Sequence, residues 1–314
     1  MTRDARPPRV AVCVATYRRP AMLRELLESL AALRFRGAAP DLRVVVVDND
    51  AEGSAKPLVD AARPALGVPV RYEVEPRRNI AHARNRSVAA ALEDGAGWLA
   101  FVDDDETVRP DWLDVLLRVQ ARYGAEVVCG AVRARLAEGA APWIERTGLL
   151  GSRPLPTGAA LTVGYTSNAL LAARLLHGPA PFDPAFGLTG GSDSHLFMRL
   201  HRQGVRMVWA EEAVVEERMP ASRVGAAWLL RRAFRVGNCA LWCERALGPR
   251  MGRPATRALK ASARLALGVA QLAPGALRGR AGLVRALHNV SYGTGALAAV
   301  LGYRYEEYRT VHGE

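Results

Sequence analysis

Cysteine is scarce in this sequence of 314 residues, and its four copies are scattered along the chain: Cys13, Cys129, Cys239 and Cys243. No two of them form a C-x-x-C pair, and no secretory signal pattern is recognised ahead of them. Disulfide-rich scaffolds and structural zinc sites depend on closely spaced cysteines. We therefore expect neither of these, and a reducing cytosol is the expected compartment.

Aromatic residues are also few, at 6% of the sequence, whereas 50% of the residues are hydrophobic. This composition predicts a globular protein with a sizeable core. Grooves that bind single-stranded nucleic acid interleave aromatic with basic side chains, and that pattern is missing, as are zinc-finger and helix-turn-helix motifs. Nucleic acid is therefore not an expected partner.

Acidic residues are nearly missing from the C-terminal third. Residues 218–314 contain 16 Lys or Arg and 4 Asp or Glu, whereas residues 1–217 contain 27 of each, so the C-terminal part carries the whole net charge of +12. A basic segment attached to a neutral body predicts salt-sensitive binding to an anionic surface, and we expect peripheral contact with an anionic membrane. Residues 286–303 lack charged side chains, but their glycines and polar residues favour an interfacial or protein-packed helix over a spanning one.

Hydrophobic runs alternate with amphipathic helical patterns through the first half of the chain. Strands are expected at about residues 10–15, 44–47, 68–74 and 98–102, and helices at about 21–33, 55–62 and 80–93. This alternation predicts a doubly wound, mostly parallel α/β sheet. From about residue 127 the pattern changes to short strands and loops rich in Gly and Pro, so the parallel order is expected to end there.

Long helical stretches rich in Ala, Leu and Arg follow Arg218. Their breaks are expected at Gly248-Pro249, Pro274-Gly275 and Gly293, because glycine and proline interrupt helices. The stretches are amphipathic, which predicts a C-terminal helical extension.

Polar residues stand where three of the expected strands end: Thr16, Asp48 and the run Asp103 to Asp105. In open parallel sheets the ligand lies outside the carboxyl ends of the strands, so these residues are expected at one edge. Three adjacent carboxylates repel one another, and a divalent cation such as Mg²⁺ or Mn²⁺, which prefers oxygen ligands and shares its shell with phosphates, relieves that repulsion. A solvated acidic loop is the alternative interpretation.

Five motifs, in this order and spacing, make residues 9–220 resemble family 2 glycosyltransferases with the GT-A fold. They are Val12 to Pro20, Val46 to Asp50, Asn79 to Asn85, the Asp-Asp-Asp run, and Gly190-Gly191-Ser192-Asp193. The resemblance implies a GT-A Rossmann-like, doubly wound mixed sheet in a catalytic domain over residues 1–220. Nucleotide-sugar binding is expected in residues 9–125, the acceptor half in residues 126–220, and the basic amphipathic helical extension in residues 221–314.

The resemblance also implies donor-binding residues. Thr16 and Tyr17 would line the base pocket, and Asp48 would bind the base or ribose, with Asp50 as a helper. Arg84 and Asn85 would lie at the pocket wall near the donor. Of the acidic run, Asp103 and Asp104 would face the ribose and donor sugar, and Asp105 would be the direct metal ligand.

An acceptor hydroxyl must lose its proton as it attacks the anomeric carbon, so the reaction needs a base. Asp193 is the candidate, because it stands at the start of an expected helix in the position of the family's Glu-Asp motif. Ser192 replaces the commoner Glu, and Ser194 and His195 follow, so the acceptor contacts are expected to differ. Capping of that helix by Ser192 or Asp193 is the alternative role.

The resemblance predicts an inverting, metal-dependent hexosyltransferase that uses a nucleotide sugar, with UDP-sugars favoured, in cell-surface polysaccharide or glycolipid synthesis. The expected acceptor is a glycan or lipid-linked sugar at the inner face of the plasma membrane. Transfer to a soluble small molecule is one alternative. A nucleotidyltransferase is another, although the loop Ala15 to Pro20 lacks the glycines that such enzymes use around a triphosphate.

Overall fold

A computed structural model describes residues 7–187, 189–248 and 254–306 of the chain. The strands are β1 Arg9–Thr16, β2 Asp41–Asp48, β3 Val70–Val74, β4 Trp98–Val102, β5 Glu106–Val108, β6 Val127–Leu136, β7 Asn168–Ala172 and β8 Met207–Met219. The helices of the first part are α1 Pro20–Ala31, α2 Lys56–Leu66, α3 Ile80–Glu93, α4 Trp112–Tyr123, α5 Trp143–Arg146 and α6 Ser192–Arg202. Those of the extension are α7 Ala226–Ala246, α8 Pro254–Ala270, α9 Leu272–Leu277 and α10 Gly279–Val300.

The eight strands form one mixed sheet in the order β3-β2-β1-β4-β7-β6-β8-β5. The first four strands are parallel, and β7 runs antiparallel to β4. The doubly wound parallel half and the end of its order after β4 are therefore as the sequence predicts. Strands β5 and β7 are short as expected, whereas β6 and β8 are longer, because they pair in parallel over a register that continues past a bulge between Gly130 and Ala131.

Alternating side chains of the central strands bury two separate cores, one on each face of the sheet. On one face, Val12 and Val46 pack with the apolar sides of α1, α2 and α4. On the other, Cys13 and Val47 pack with α3 and α6. The continuous valine run of β2 is explained by this double burial, since a strand covered on both faces has no solvent side.

The helices of the extension pack around α10, and two glycines of the extension lie at contacts between helices and do not break a helix. The expected break at Gly293 is wrong, because α10 runs through it. A Cβ atom at Gly293 would lie 2.7 Å from the backbone nitrogen of Leu265 on α8, and one at Gly237 of α7 would lie 2.1 Å from the carbonyl oxygen of Tyr292. These glycines let the helix backbones approach closely.

The other two expected breaks have different outcomes. Pro274 and Gly275 lie inside α9, and the helical elements end instead near Gln271 and Arg278. Helix α7 ends at Ala246, next to the expected break at Gly248, whereas Pro249 lies outside the described residues. Residues 286–303 belong mostly to a helix packed against protein, as one of the two expectations for them stated.

Candidate active site

The carboxyl ends of β1, β2 and β4 meet at one edge of the sheet. Thr16 and Asp48 are register partners at the ends of β1 and β2, and Asp103 directly follows β4. The Thr16 hydroxyl donates a hydrogen bond to Oδ2 of Asp104 over 2.8 Å. The structure therefore brings the three groups of polar strand-end residues together.

Guanidinium groups pair with all three carboxylates of the acidic run. Nη1 of Arg19 donates to Asp104 over 3.0 Å and to Asp105 over 3.2 Å. Nη1 of Arg223 reaches the same oxygen of Asp105 over 3.2 Å, and Nη2 of Arg84 donates to Asp103 over 3.1 Å. The repulsion anticipated from the sequence is thus balanced by arginines from three parts of the chain.

Burial and mutual repulsion still disfavour ionisation in this run. Burial raises the pKa of Asp104 to about 6, although the charge of Arg19 opposes the shift. The pKa of Asp105 is raised by burial and then by the charge of Asp103, against Arg19 and Arg223. Burial and the Asp103 charge raise the pKa of Glu106 well above its ordinary value. A cation placed here would lower all of these pKa values.

The residues present fit a divalent cation that shares its shell with a ligand. Among the described residues, no group of three or more His, Cys, Asp or Glu side chains forms a ready-made metal site. Mg²⁺ is usually held by one or two carboxylates together with waters and substrate phosphates, so a complete protein cage is not required. Asp105, with Asp103 two residues away, can provide that partial set. Asp104 and the Asp105 side chain are largely buried, so the acidic run is not a solvated loop, and the metal ligand stays a prediction.

Asp48 is fully buried and holds the turn that follows β2. Its Oδ1 accepts from the backbone of Asp50 over 3.0 Å, and its Oδ2 accepts from the backbone of Ala55 over 2.7 Å and from the Tyr72 hydroxyl over 2.8 Å. The aspartate thereby fixes the loop after β2, and its expected contact with the base or ribose stays a prediction.

Tyr17 directly follows β1 at this edge of the sheet, and its ring lies near two arginines. The Cζ atoms of Arg18 and Arg78 lie 5.5 and 5.2 Å from the centre of its ring. Arg18 has a φ of 51°, and it pairs through two hydrogen bonds with Asp50, whose pKa it holds at about 2. The first loop is therefore positioned by charge pairing, and it presents a ring on which a base can stack.

Helix α3 carries Arg84 and Asn85, but the two side chains do different things. Arg84 is buried and points to Asp103. The amide of Asn85 is engaged at both ends by the backbone of Phe182, donating over 2.7 Å and accepting over 2.9 Å. Asn85 thus anchors the segment before Asp193, and its expected contact with the donor stays a prediction.

Asp193 lies in the first turn of α6, and its Oδ1 accepts from the backbone of Ser194 over 2.7 Å. Burial raises its pKa; the charges of Arg84 and Arg235 lower it, and that of Asp103 raises it. The candidate base is therefore affected by Arg84 and Asp103, which form an ion pair at the acidic run. Neither Ser192 nor Asp193 is the N-cap residue, because α6 begins at Ser192 with Gly191 as N-cap; Asp193 instead accepts its hydrogen bond from Ser194 within the first turn.

Helix α7 supports the segment that carries Asp193. The Cys243 thiol donates to the carbonyl of Gly191 over 3.4 Å, and a Cβ atom at Gly191 would lie 2.0 Å from Sγ of Cys239. Both cysteines are free thiols and are buried at this contact. The extension is therefore in direct contact with the candidate active site.

Three charged residues of this site were not assigned to it from the sequence: Arg19, Arg223 and Glu217. Burial and the charge of Asp105 raise the pKa of Glu217, whereas Arg232 and Arg223 lower it. Arg19 lies inside the motif Val12 to Pro20, so that motif could have indicated a role for Arg19 in the site. For Arg223 and Glu217 the sequence offers only their place at the end of β8.

Comparisons with known proteins show the family of this chain. The sequence profile described as glycosyl transferase family 2 matches residues 11–167. The succinoglycan biosynthesis protein ExoM of Rhizobium meliloti (strain 1021) is 40% identical to this chain over 233 residues, which cover 73% of each protein.

Two solved structures have a similar fold. The mannosyltransferase PcManGT from Pyrobaculum calidifontis, in complex with GDP-Man and Mn²⁺, has a TM-score of 0.61 at 20% identity, covering 94% of this chain and 88% of that one. TarS of S. aureus, in complex with UDP-GlcNAc, has a TM-score of 0.51 at 16% identity, covering 95% and 93%. At these identities the likeness concerns the fold, which is the expected GT-A fold with a helical C-terminal region.

The sequence match decides between the enzymatic interpretations, because it extends over half of the chain and the whole parallel half of the sheet. A nucleotidyltransferase is thereby set aside. The protein belongs to glycosyltransferase family 2.

Proposed function

We propose that this glycosyltransferase moves a sugar from a nucleotide-diphosphate donor to an acceptor hydroxyl by one in-line displacement that inverts the anomeric carbon. The observation that carries the proposal is the position of Arg84, which pairs with Asp103 and whose charge also acts on Asp193. A donor group near Asp103 and an acceptor group near Asp193 are then within one site.

Thr16, Tyr17 and Asp48 form the base and ribose side of the proposed donor pocket. The Tyr17 ring and the buried Asp48 lie at the ends of β1 and β2. Asp103 and Asp104 lie toward the ribose and the donor sugar, and Asn85 supports the pocket wall through the Phe182 backbone. UDP-sugars are the proposed donors on family resemblance.

Asp105, together with Asp103, is the proposed holder of Mg²⁺ or Mn²⁺. The ion, when bound, supplies positive charge that stabilises the leaving diphosphate. Arg19 and Arg223 pair with Asp105 and lower its pKa against the effect of burial, so they favour the ionised carboxylate and hold it at the strand end.

Asp193 is the proposed general base. Its carboxylate accepts the proton of the acceptor hydroxyl while the acceptor oxygen bonds to the anomeric carbon. The bond from that carbon to the diphosphate oxygen breaks, and the nucleoside diphosphate leaves with the bonding electrons. The burial that raises the pKa of Asp193 also makes its carboxylate a better proton acceptor.

Cations from the extension complete the proposed site. Arg223 pairs with Asp105, and the charges of Arg232 and Arg235 act on Glu217 and Asp193 respectively. We assign Arg232 to the leaving diphosphate, because its guanidinium stays positively charged, is partly buried and acts on Glu217, which also feels the charge of Asp105.

We further propose residues 1–220 as the catalytic domain, with donor half 9–125 and acceptor half 126–220, and residues 221–314 as the extension. The acceptor is a glycan, carried on a lipid at the inner face of the plasma membrane, in polysaccharide synthesis. Similarity to a succinoglycan biosynthesis protein supports this assignment. Transfer to a soluble small molecule is the alternative acceptor class.

A donor screen tests the proposal. The purified protein is incubated with UDP-, GDP- and TDP-sugars and with Mn²⁺ or Mg²⁺, and released nucleoside diphosphate is measured with and without chelator. We expect slow hydrolysis of one donor class without acceptor, lost on chelation and restored by the metal. Release that persists unchanged in chelator contradicts the metal assignment, and release from none of the donors, with or without added acceptor glycans, contradicts the proposed donor chemistry.

A further inference from the structure

Helices α8 and α9 expose apolar side chains on their outer side. We call Leu259, Leu267 and Val269 of α8, with Leu277 of α9, the outer face. They are exposed to 69%, 52%, 54% and 90% respectively, whereas Gly268 on the inner side of α8 meets Val290 of α10. Several exposed large apolar side chains on one short stretch mark an interaction surface more often than a plain solvent surface.

The alanines of α8 extend this apolar character. Ala263, Ala266 and Ala270 are exposed and lie near Leu259 on the helical wheel, with Leu267 and Val269 flanking them. The exposed cations Lys260 and Arg264 lie to one side of this stripe. The arrangement is that of an interfacial helix, with an apolar side bordered by basic residues.

No acidic side chain can neutralise these cations from their own helices. Residues 254–300, which comprise α8, α9 and α10, contain six Lys or Arg and no Asp or Glu. Arg257 is buried and pairs with Glu244 of α7, and the other five are exposed. The exposed basic residues that follow the outer face are Arg278, Arg280 and Arg285. The surface therefore offers positive charge to an external anion, together with apolar side chains.

These two properties point to a lipid surface. A polyanion such as nucleic acid would use the cations but gains little from exposed leucines, whereas an anionic bilayer interface accommodates both. Within the described ranges, no helix combines the length and apolarity needed to cross a bilayer. Contact would therefore be made by the outer face lying along the headgroup region.

We propose that the outer face of α8 and α9 docks this protein on an anionic phospholipid bilayer, with its leucines in the interface and the neighbouring Lys and Arg on the headgroups. The inference rests on the proposed function in one respect, namely that a lipid-linked acceptor explains why docking is useful. Docking itself requires neither donor nor acceptor, so it can be tested separately.

The test is vesicle co-sedimentation of the full chain without any sugar substrate. Vesicles of phosphatidylcholine with phosphatidylglycerol are compared with phosphatidylcholine alone, at low and high salt. We expect binding to the anionic vesicles, weakened by salt, and little binding to the neutral ones. The double variant Leu259→Gln with Leu277→Gln should bind about tenfold or more weakly, because two apolar side chains no longer leave water.

Two matched variants separate the contributions. Val74→Gln replaces an exposed apolar side chain at the far edge of the sheet, and it should bind vesicles like the wild type. Lys260→Gln with Arg264→Gln should reduce the salt dependence while leaving the apolar contribution in place. Donor hydrolysis should be unchanged in all three variants, which reports that the catalytic domain remains folded.

Four results would overturn the proposal. The first is equal vesicle binding by the Leu259 and Leu277 variant and by the wild type, and the second is no binding of the wild type to anionic vesicles. The third is a wild type that binds an oligonucleotide but no anionic vesicle. The fourth is a wild type that binds no vesicle and forms a dimer, which the substitutions at Leu259 and Leu277 dissociate. Vesicle binding in a protein that transfers no sugar would leave docking supported and the proposed function refuted.

Discussion

The catalytic domain and the extension use charge in opposite ways. Residues 1–217 balance 27 basic with 27 acidic residues, and the important ones are paired within the protein, as in Arg84 with Asp103 and Arg18 with Asp50. Residues 218–314 carry 16 basic and 4 acidic residues, so an excess of positive charge remains even though Arg218 and Arg223 pair with carboxylates of the catalytic domain. Internal pairing places side chains for chemistry, whereas unbalanced charge is available to an external anion.

Helix α7 is part of the extension but contacts the catalytic domain at the candidate active site. It lies in the basic extension, yet its cysteines contact Gly191 and the charge of Arg235 acts on Asp193. The comparison therefore predicts that substitutions in α7 affect transfer, whereas substitutions on the outer face of α8 affect membrane binding alone.

The largest expected effect comes from the two carboxylates at the core of the chemistry. Asp105→Asn and Asp193→Asn should each lower kcat by about 10³-fold, through loss of charge stabilisation and of the base respectively. Nucleoside diphosphate release measures the rate, and circular dichroism checks the fold. Asp60→Asn on the exposed side of α2 is the control. Transfer at the wild-type rate by both site variants would contradict the roles assigned to Asp105 and Asp193.

Gly191→Ala should break the contact between the two regions. The added Cβ atom would lie 2.0 Å from Sγ of Cys239 and displace the segment that carries Asp193, which we expect to cost about 10- to 100-fold in kcat. Adding Cys239→Ala should restore part of the loss. Gly37→Ala, which meets no atom within 4 Å, should be silent. If the glycine variant is fully active, the extension does not position the base.

Arg232→Gln tests whether a cation of the extension acts on the donor. We expect about tenfold weaker binding of the nucleoside diphosphate, because one charge-assisted contact is lost, and unchanged binding of the nucleoside alone. Calorimetric titration of both ligands measures the difference. Arg231→Gln, an exposed neighbour on the same helix, is the matched control. Equal effects in both variants would assign Arg232 to structure alone.

Arg84→Gln should shift the acid limb of the pH profile of kcat/KM to higher pH. The base must be ionised to accept a proton, and the charge of Arg84 lowers the pKa of Asp193, so its removal raises that pKa and activity is lost at a higher pH. Asp103 raises the same pKa and Arg235 lowers it, and both remain. Arg84→Lys keeps the charge and should keep the limb in place. A shift to lower pH would contradict the proposed role of Asp193.

The parallel half of the sheet could be predicted because its signals are local. The valine run of β2 and the apolar face of α1 follow from hydrophobic periodicity, and α3 and β4 have the expected bounds. The carboxyl ends of parallel strands meet at one edge, which is enough to bring Thr16, Asp48 and Asp103 together.

The remaining features depend on neighbours that are distant in the sequence. Gly293 has the residue type of a helix breaker, but Leu265 of α8 lies against it and turns it into a packing position. Asn85 has the residue type of a ligand-binding side chain, but the backbone of Phe182, 97 positions away, engages its amide. Arg223 follows β8 in the sequence and reaches Asp105 across 118 positions.

The sequence by itself determined the family, the doubly wound half of the sheet, the edge at which the strand-end carboxylates gather and the uneven distribution of charge, because motifs, periodicity and composition are properties of contiguous residues. Only the tertiary structure decided which arginine pairs with which carboxylate, that α7 packs against the segment of Asp193, and that the apolar side of α8 is exposed within the described part of the chain. Those features depend on how separate elements pack, and no local pattern specifies the partner that a side chain or a helix face meets.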